Sequence, residues 1–448
     1  IHLYLSPTTK ILENDVSLTK GEWDSAGVYL SYSEGCILQY NDVISNYNGM
    51  ILWNSPEATI QFNEVNSNSL SGISLQFSGD ATVSNNDANS NSYGIALSSS
   101  DYVDIDTNNA TSNGVGISLS SSHYVTITNN NASNNGRGIS LGGSNNNAIT
   151  FNHVESNTYG IYLTSSSSNV IADNIAEDND FGVSLWWSSN YNSVKNNDFD
   201  NSEIYGAYVF SSSYNSLTLN DLRYSGSVGI HLEQSHYNGL YSNNATHSGN
   251  YGINLFESDW NEVENNDVRF STNVGIGLSS SHNNNILNNT AEGSGIGISL
   301  RWSNGNNIRD NNANLDSIGI SLLQSNTNAI INNTASSNKN IGIELSISSY
   351  NDLINNTADN NANYGIHLYS STYNDVIGNN VNSNGVGVYL DWSTNNVIRE
   401  NVVNFNSLVG IAIYWESNNN QIIGNDVDSN SKINIRLSFS HNNRVEDN

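Results

Sequence analysis

Along this chain apolar residues recur two apart in short bursts: Ile73 and Leu75, Ile95 and Leu97, Ile117 and Leu119, Ile139 and Leu141, Ile161 and Leu163. A spacing of two sends alternate side chains to one face of a strand, whereas a helix needs apolar positions three and four apart, and no copy shows that. Each burst follows a glycine, and the glycines form a series: Gly27, Gly49, Gly72, Gly94, Gly116, Gly138, Gly160, Gly182 and Gly206, then Gly229, Gly252, Gly275, Gly297, Gly319, Gly342, Gly365, Gly387 and Gly410, 22 to 24 residues apart. Asn434 takes the glycine position in a last copy, and HLYL at 2–5 reads as an earlier one. The consensus of the copies is G-[IV]-x-L, a Ser/Asn-rich stretch, an aliphatic residue eleven after the glycine, Asn fourteen after, and a small or aliphatic residue sixteen after. Short strands at a fixed period predict a parallel β-solenoid. A left-handed hexapeptide solenoid uses about 18 residues per coil, so this period predicts the right-handed, three-sheet type. The expectation is all-β: one right-handed parallel β-helix domain over 1–448, about 19–20 coils at ~4.8 Å each, or a rod of about 95 Å.

The asparagine column supports that architecture. Asn41, Asn63, Asn86, Asn108, Asn130, Asn152 and Asn174 stand at the same place in successive copies, as do Asn220, Asn243, Asn266, Asn289, Asn311, Asn333, Asn356, Asn379 and Asn401; in longer coils the position shifts to Asn197 and Asn425. Stacked amides bond up and down a column as an Asn ladder, and Asn tolerates the left-handed backbone of a tight corner. These residues are therefore read as structure.

The repeat resembles the parallel β-helix repeat family, NosD-like or CASH-type, over nearly the whole chain. That resemblance implies the fold and a bacterial or archaeal surface or periplasmic setting. It leaves function open, because lyases, hydrolases, epimerases, adhesins and transporter accessories share the fold.

Composition narrows the function. Of 448 residues, 86 are Asn, and 13 Lys plus Arg face 42 Asp plus Glu, a net charge of −29. Nucleic acid and anionic membrane both need clustered cations, so neither is an expected partner. Cys36 is the only cysteine, which excludes an intramolecular disulfide; its place in the repeat, level with inward Val103, predicts a buried, inert thiol. No apolar run is long enough to span a bilayer. Starting at Ile1 without Met, the sequence reads as a piece of a longer secreted precursor.

Two positions in each copy, two and four residues after the glycine, should point outward. They carry Tyr162, Trp186, Tyr208, Phe210, His231, Glu233 and Phe256, with Trp187, Glu257, Asp259 and Trp260 just beyond. A second cluster includes Arg301, Trp302, Tyr369, Tyr389, Asp391, Trp392, Tyr414, Trp415 and Glu416. Outward rings beside carboxylates suit a glycan-binding groove, and they suit a protein contact equally. His231, Glu233 and Glu257 are the catalytic candidates, since Glu233 and Glu257 one rung apart fall near the ~5–9 Å separation of paired glycosidase carboxylates. Polyuronate lyases and epimerases of this fold use a basic stripe that is missing here, and nucleophile-elbow, zincin and P-loop motifs are also missing.

No cofactor is expected. His123, His236, His282 and His441 share a repeat position in well-separated coils, and Met50 is the only methionine, so the copper that a NosD-like resemblance suggests finds no Cys/Met/His cluster. Calcium suits the acidic turn at Asp173, Glu177, Asp178 and Asp180, though a solvated turn explains those residues as well. Six N-x-[ST] sequons, at Asn109, Asn131, Asn244, Asn288, Asn332 and Asn355, line up beside the ladder and would place glycans along one edge. The reading is an extracellular or cell-surface structural or adhesive β-helix, self-associating end to end or meeting other surface proteins. The alternative is a polysaccharide hydrolase or lyase, or a non-catalytic glycan-binding module, using the aromatic-acidic face.

Overall fold

The computed structural model describes residues 1–18 and 25–448. As the repeat predicts, the fold is an all-β, right-handed parallel β-solenoid. It divides into two compact units, Ile1–Leu222 and Arg223–Asn448, each built from the same coil.

In the first unit the coil that starts at Arg137 shows the plan. A six-residue strand, Arg137–Gly142, is followed by a three-residue strand, Ala148–Thr150, and then by a single parallel bridge at His153. Like sits on like from coil to coil: Ile117, Ile139 and Ile161 pair in the long strands, and Ile105, Ile127 and Ile149 in the short ones. A slip of one residue would turn this aliphatic column out to water, so the hydrophobic pattern fixes the register. Ile139, Leu141, Ile149 and Val154 are fully buried.

The repeat glycine is steric in origin. A Cβ on Gly116 would lie 2.7 Å from the Gly138 carbonyl oxygen and 3.0 Å from that of Ala110, both backbone atoms that cannot move aside. In the second unit the strands Ile296–Arg301 and Asn307–Arg309 and the bridge at Asn312 repeat the plan, with Ile298 paired to Ile276 and Ile320.

Among the described residues a coil typically turns four corners, each marked by a left-handed residue that is followed at most corners by a buried polar one; in the earliest coils one corner instead precedes Cys36, Ala58, Ala81, Val103 or Val125. In the Gly138 coil the left-handed residues are Gly143, Asn146, Phe151 and Ser156, with φ of 58°, 59°, 56° and 55°. The residues that follow, Ser144, Asn147, Asn152 and Asn157, are buried. The ladder asparagines themselves lack the left-handed φ expected of them; the strained position is the one before, where Phe62, Thr107 and Tyr40 also stand. A left-handed non-glycine residue costs on the order of 1–2 kcal/mol, and the ladder offsets that cost.

Asn152 shows how. Its Nδ2 donates to the Ile127 and Thr150 carbonyls at 2.9 and 3.1 Å and to Asn174 Oδ1 at 3.0 Å. Its Oδ1 accepts from Asn130 N and Nδ2, both at 3.0 Å. The predicted ladder links Asn86, Asn108, Asn130, Asn152 and Asn174 in the first unit and Asn243, Asn266 and Asn289 in the second by amide bonds of 3.0 Å. Three further ladders escaped the sequence reading: the serine column through Ser122, Ser144 and Ser166, a second asparagine column through Asn147, Asn169 and Asn192, and a third through Asn113, Asn135 and Asn157.

Candidate functional site

With the core side filled by aliphatics, chemistry is left to the three outward positions of each long strand: its first, fourth and sixth residues. In the first unit these carry aromatic rings over three consecutive strands, Tyr159–Thr164, Phe181–Trp186 and Tyr205–Phe210. Tyr159 stacks on Phe181 with centroids 4.8 Å apart at 10°. Trp186 sits among the others, edge to face with Tyr162 (5.6 Å), Tyr208 (5.6 Å), Phe210 (6.0 Å) and Tyr159 (6.2 Å). Its indole N–H is buried with no oxygen or nitrogen partner among the described residues; facing rings on several sides can accept it as a weak N–H···π contact. Trp187, one residue on, turns the left-handed corner, packs edge-on to Phe210 at 4.7 Å and stays 53% exposed.

Beside this cluster lies an open trough of about 470 Å³, lined by Tyr93, Val115, Gly114, Gly136, Arg137 and Tyr159 among others. Its floor is kept bare, because a Cβ on Gly136 would lie 2.7 Å from the Gly114 carbonyl oxygen.

The second unit presents different chemistry on the equivalent face. His231 Nε2 lies 3.6 Å from Glu233 Oε2, and His231 Nδ1 is 3.1 Å from Asn254 Nδ2. Burial holds the His231 imidazole below its ordinary pKa despite the neighbouring Glu233 carboxylate. Farther along, His367 Nδ1 lies 3.7 Å from Glu344 Oε1, and its ring packs at 5.0 and 5.2 Å beside Tyr364 and Tyr389, which stack on each other at 4.9 Å. Both His367 ring nitrogens and Asp391 Oδ1 are buried without a hydrogen-bond partner among the described residues. Burial raises Asp391 above the usual carboxylate range, with His367 pulling the other way, and burial pushes the Tyr389 phenol up to about 12.

The predicted residues thus fall into distinct places. Trp186, Tyr208 and Phe210 meet in one cluster. His231 and Glu233 meet in the second unit, but the rung neighbour of Glu233 is Phe256. Glu257 lies one residue beyond, at a left-handed corner, accepting from Gln234 Nε2 at 3.0 Å. Trp302, Trp392 and Trp415 occupy the same corner position as Trp187, each about half exposed, with Trp302 Nε1 donating to Gln324 Oε1 and Trp415 stacked on Phe439 at 5.1 Å. Trp260 is on a different corner, stacked on Tyr237 at 6.3 Å.

Of the sequons, Asn288, Asn332 and Asn355 are exposed at left-handed corners, while Asn109, Asn131 and Asn244 are half-buried in the adjacent bridge column. In the acidic turn the Glu177 carboxyl is pushed up to about 7, chiefly by its hydrogen bond with Asp198 and then by burial. Sequence reasoning missed Tyr159, Phe181, Tyr205, Arg137, Glu344, Tyr364 and His367. An aromatic residue directly before the repeat glycine in three consecutive copies was the available signal for the first three.

Comparison with known families decides the relationship. The model of the family described as "Periplasmic copper-binding protein (NosD)" matches repeatedly, over residues 2–174, 85–214, 142–271, 202–334 and 249–408. The chain belongs to the NosD family. No curated protein matches it. Among solved structures, the NosD-family chain is similar to the Dettilon tailspike protein gp208, with 13% identity, a TM-score of 0.44, and 67% of this chain and 62% of that one covered. It is also similar to the A-module of the Azotobacter vinelandii mannuronan C-5 epimerase AlgE4 (15%, 0.40, 67% and 87%) and to the periplasmic alginate epimerase AlgG (13%, 0.35, 79% and 76%).

Copper needs converging imidazole, thiolate or thioether donors. In this NosD-family chain Cys36 is fully buried, with Sγ donating to the Ser6 carbonyl, and Met50 is fully buried too. Burial raises the Cys36 thiol pKa, as an inert thiol requires. His123, His236 and His282 each accept a backbone N–H from the next coil at 3.0 to 3.1 Å, which explains why they share a repeat position. Among the described residues no three His, Cys, Asp or Glu side chains converge. The residues present do not fit a copper centre.

Proposed function

We propose that this NosD-family chain is an extracytoplasmic adhesive β-helix that binds a polysaccharide along the aromatic face of its first unit. The observation that carries the reading is the packed cluster of Tyr159, Tyr162, Phe181, Trp186, Tyr205, Tyr208 and Phe210 beside an open trough. Rigid rings give large contact area at low entropy cost and suit the apolar faces of sugars. The family's periplasmic description supports a location outside the cytoplasm, and no helix among the described residues is long and apolar enough to cross a membrane. The test is affinity electrophoresis or calorimetry of the full chain against a polysaccharide panel. Trp186→Ala combined with Tyr208→Ala should weaken binding at least tenfold, on the scale of two lost ring contacts of about 1 kcal/mol each. Unaltered affinity in that variant overturns the reading.

A second reading, cleavage of the bound glycan, draws support from the Glu344–His367 and His231–Glu233 pairs. It predicts that reducing ends appear when the same polysaccharides are incubated with the chain, and that Glu344→Gln or Glu233→Gln abolishes them while melting is unchanged.

A further inference from the structure

The nine six-residue strands described in the first unit run from Ala26–Ser31 to Tyr205–Phe210, and of their 54 residues only Arg137 is charged. In a chain of 42 acidic and 13 basic residues, a face this long without one carboxylate stands apart from the rest of the surface. The one cation it keeps is placed at the join of the trough and the aromatic cluster. Arg137 lines the trough together with Tyr93 and Tyr159. Its guanidinium carbon lies 4.5 Å from the centroid of Tyr162 and 5.9 Å from that of Tyr159. The side chain is exposed and, among the described residues, no carboxylate pairs with it. A guanidinium lying over a ring is held by its flat face and keeps its N–H edge free for a planar anion.

We propose that Arg137 is an anion-recognition subsite that makes the first unit's face select glycans carrying an acidic substituent, a uronate carboxylate or a sulfate ester. The inference rests on the glycan-binding reading above and adds its substrate class. One arginine on a neutral face matches occasional acidic sugars in a largely neutral chain. It does not match a polyuronate, which would need a row of cations and would be repelled by the net charge of −29. The stacking of the guanidinium on Tyr162 also makes the site specific for arginine, since an ammonium would supply charge without the planar fork.

The test is calorimetry of the full chain at low salt with a matched set: a neutral β-glucan oligosaccharide, the same oligosaccharide with one residue oxidised at C6 to the uronate, and the same with one sulfate ester. The expected result is that at least one acidic form binds about tenfold tighter than the neutral one, the scale of one charge-assisted bidentate contact. That ratio should fall towards one in 0.5 M NaCl and in Arg137→Gln, and to an intermediate value in Arg137→Lys. Whichever acidic form has the larger ratio identifies the anion. Binding of all three with equal affinity, or an acidic preference that survives in Arg137→Gln, overturns the inference and leaves the glycan reading standing. No binding of any of the three, or of the wider polysaccharide panel, overturns the glycan reading itself. Circular dichroism and melting of each variant confirm that a lost preference is read on folded protein.

Discussion

The outward faces of the two units are built on the same coil and carry opposite chemistry. In the first unit the long strands present rings and hydroxyls with a single charge, Arg137. In the second they present Glu233, Arg301, Glu344, Asp391 and Arg436, with His231 and His367 beside carboxylates. Inside, the two are alike: aliphatic columns, repeat glycines and amide ladders recur in both. Stability and recognition are therefore carried by different positions of one repeat, and the outward positions can vary freely because nothing in the core depends on them. Substitutions aimed at either set should separate the two.

The largest effect is expected where the units are alike. Asn152→Leu removes the acceptor for Asn130 N and Nδ2 and the donor to two buried carbonyls. The four groups left unsatisfied cost on the order of 1 kcal/mol each at the low end of the usual range, so a total loss of at least about 4 kcal/mol is expected in chemical denaturation. Asn289→Leu, which strips the same kind of rung in the second unit, should cost as much. Unequal losses would mean that the ladders do not do the same work in both units.

A pH-dependent effect, smaller than this within any one pH unit, should distinguish them. Asp316 takes the place of an asparagine in the third ladder of the second unit, where the first unit has Asn135 and Asn157. Its Oδ1 accepts from Ser294 N at 2.6 Å, while Oδ2 is buried without a partner. Burial pushes this carboxyl up to about 8, with the Ser294 N–H and Lys339 acting in the other direction. The folded state therefore keeps a proton that the unfolded chain releases near pH 4. The contribution to stability is full below pH 4 and is lost as pH rises towards 8, at up to about 1.4 kcal/mol per pH unit. Asp316→Asn should be more stable than the parent at pH 8, with the gap closing as pH is lowered to 4. Asn157→Asp should import the same slope into the first unit. Parallel melting curves for parent and Asp316→Asn across that range would refute the protonated-rung account.

How much of this was legible follows from periodicity. Strands, register, core columns and the first Asn ladder repeat every coil, so the sequence displays each of them about twenty times over. The serine column repeats as faithfully, but the other two asparagine ladders are interrupted, one by Cys36, Ala58, Ala81, Val103 and Val125 and the other by serines and Asp316. Ser144, Asn147 and Asn157 also lie in stretches so rich in Ser and Asn that their inward direction cannot be told from that of their solvent-facing neighbours. The left-handed residue before each ladder position was misplaced by one because Asn suits both roles. The site was only half legible, because it is made of exceptions to the repeat. Trp186 and Tyr208 stood out at positions known to face outward, whereas Tyr159, Phe181 and Tyr205 precede the glycine, a position whose direction only the register reveals. Glu344 and His367 are ordinary residues 23 apart in sequence that parallel pairing sets side by side.

The smallest expected effect concerns the corners, where the two units converge again. Tyr102 stacks on Tyr124 in the first unit at 5.0 Å and 5°, and Tyr350 on Tyr373 in the second at 5.1 Å and 5°. All four residues are left-handed, with φ between 57° and 58°, and about half exposed. A stacked ring pair contributes about 0.5–1.5 kcal/mol beyond its buried area. Exposure and the release of rotamer entropy reduce that, so Tyr102→Ala and Tyr350→Ala should each cost about 0.5 kcal/mol. Glycine at the same positions removes the stack but also relieves the left-handed strain, worth on the order of 1 kcal/mol. Tyr102→Gly and Tyr350→Gly should accordingly be no less stable than the alanine variants, and by the same margin in both units. Alanine variants as stable as the parent would show that these rings are carried on the corners without holding the coils together. They would then be free, like the outward positions of the long strands, to be set by what the surface must recognise.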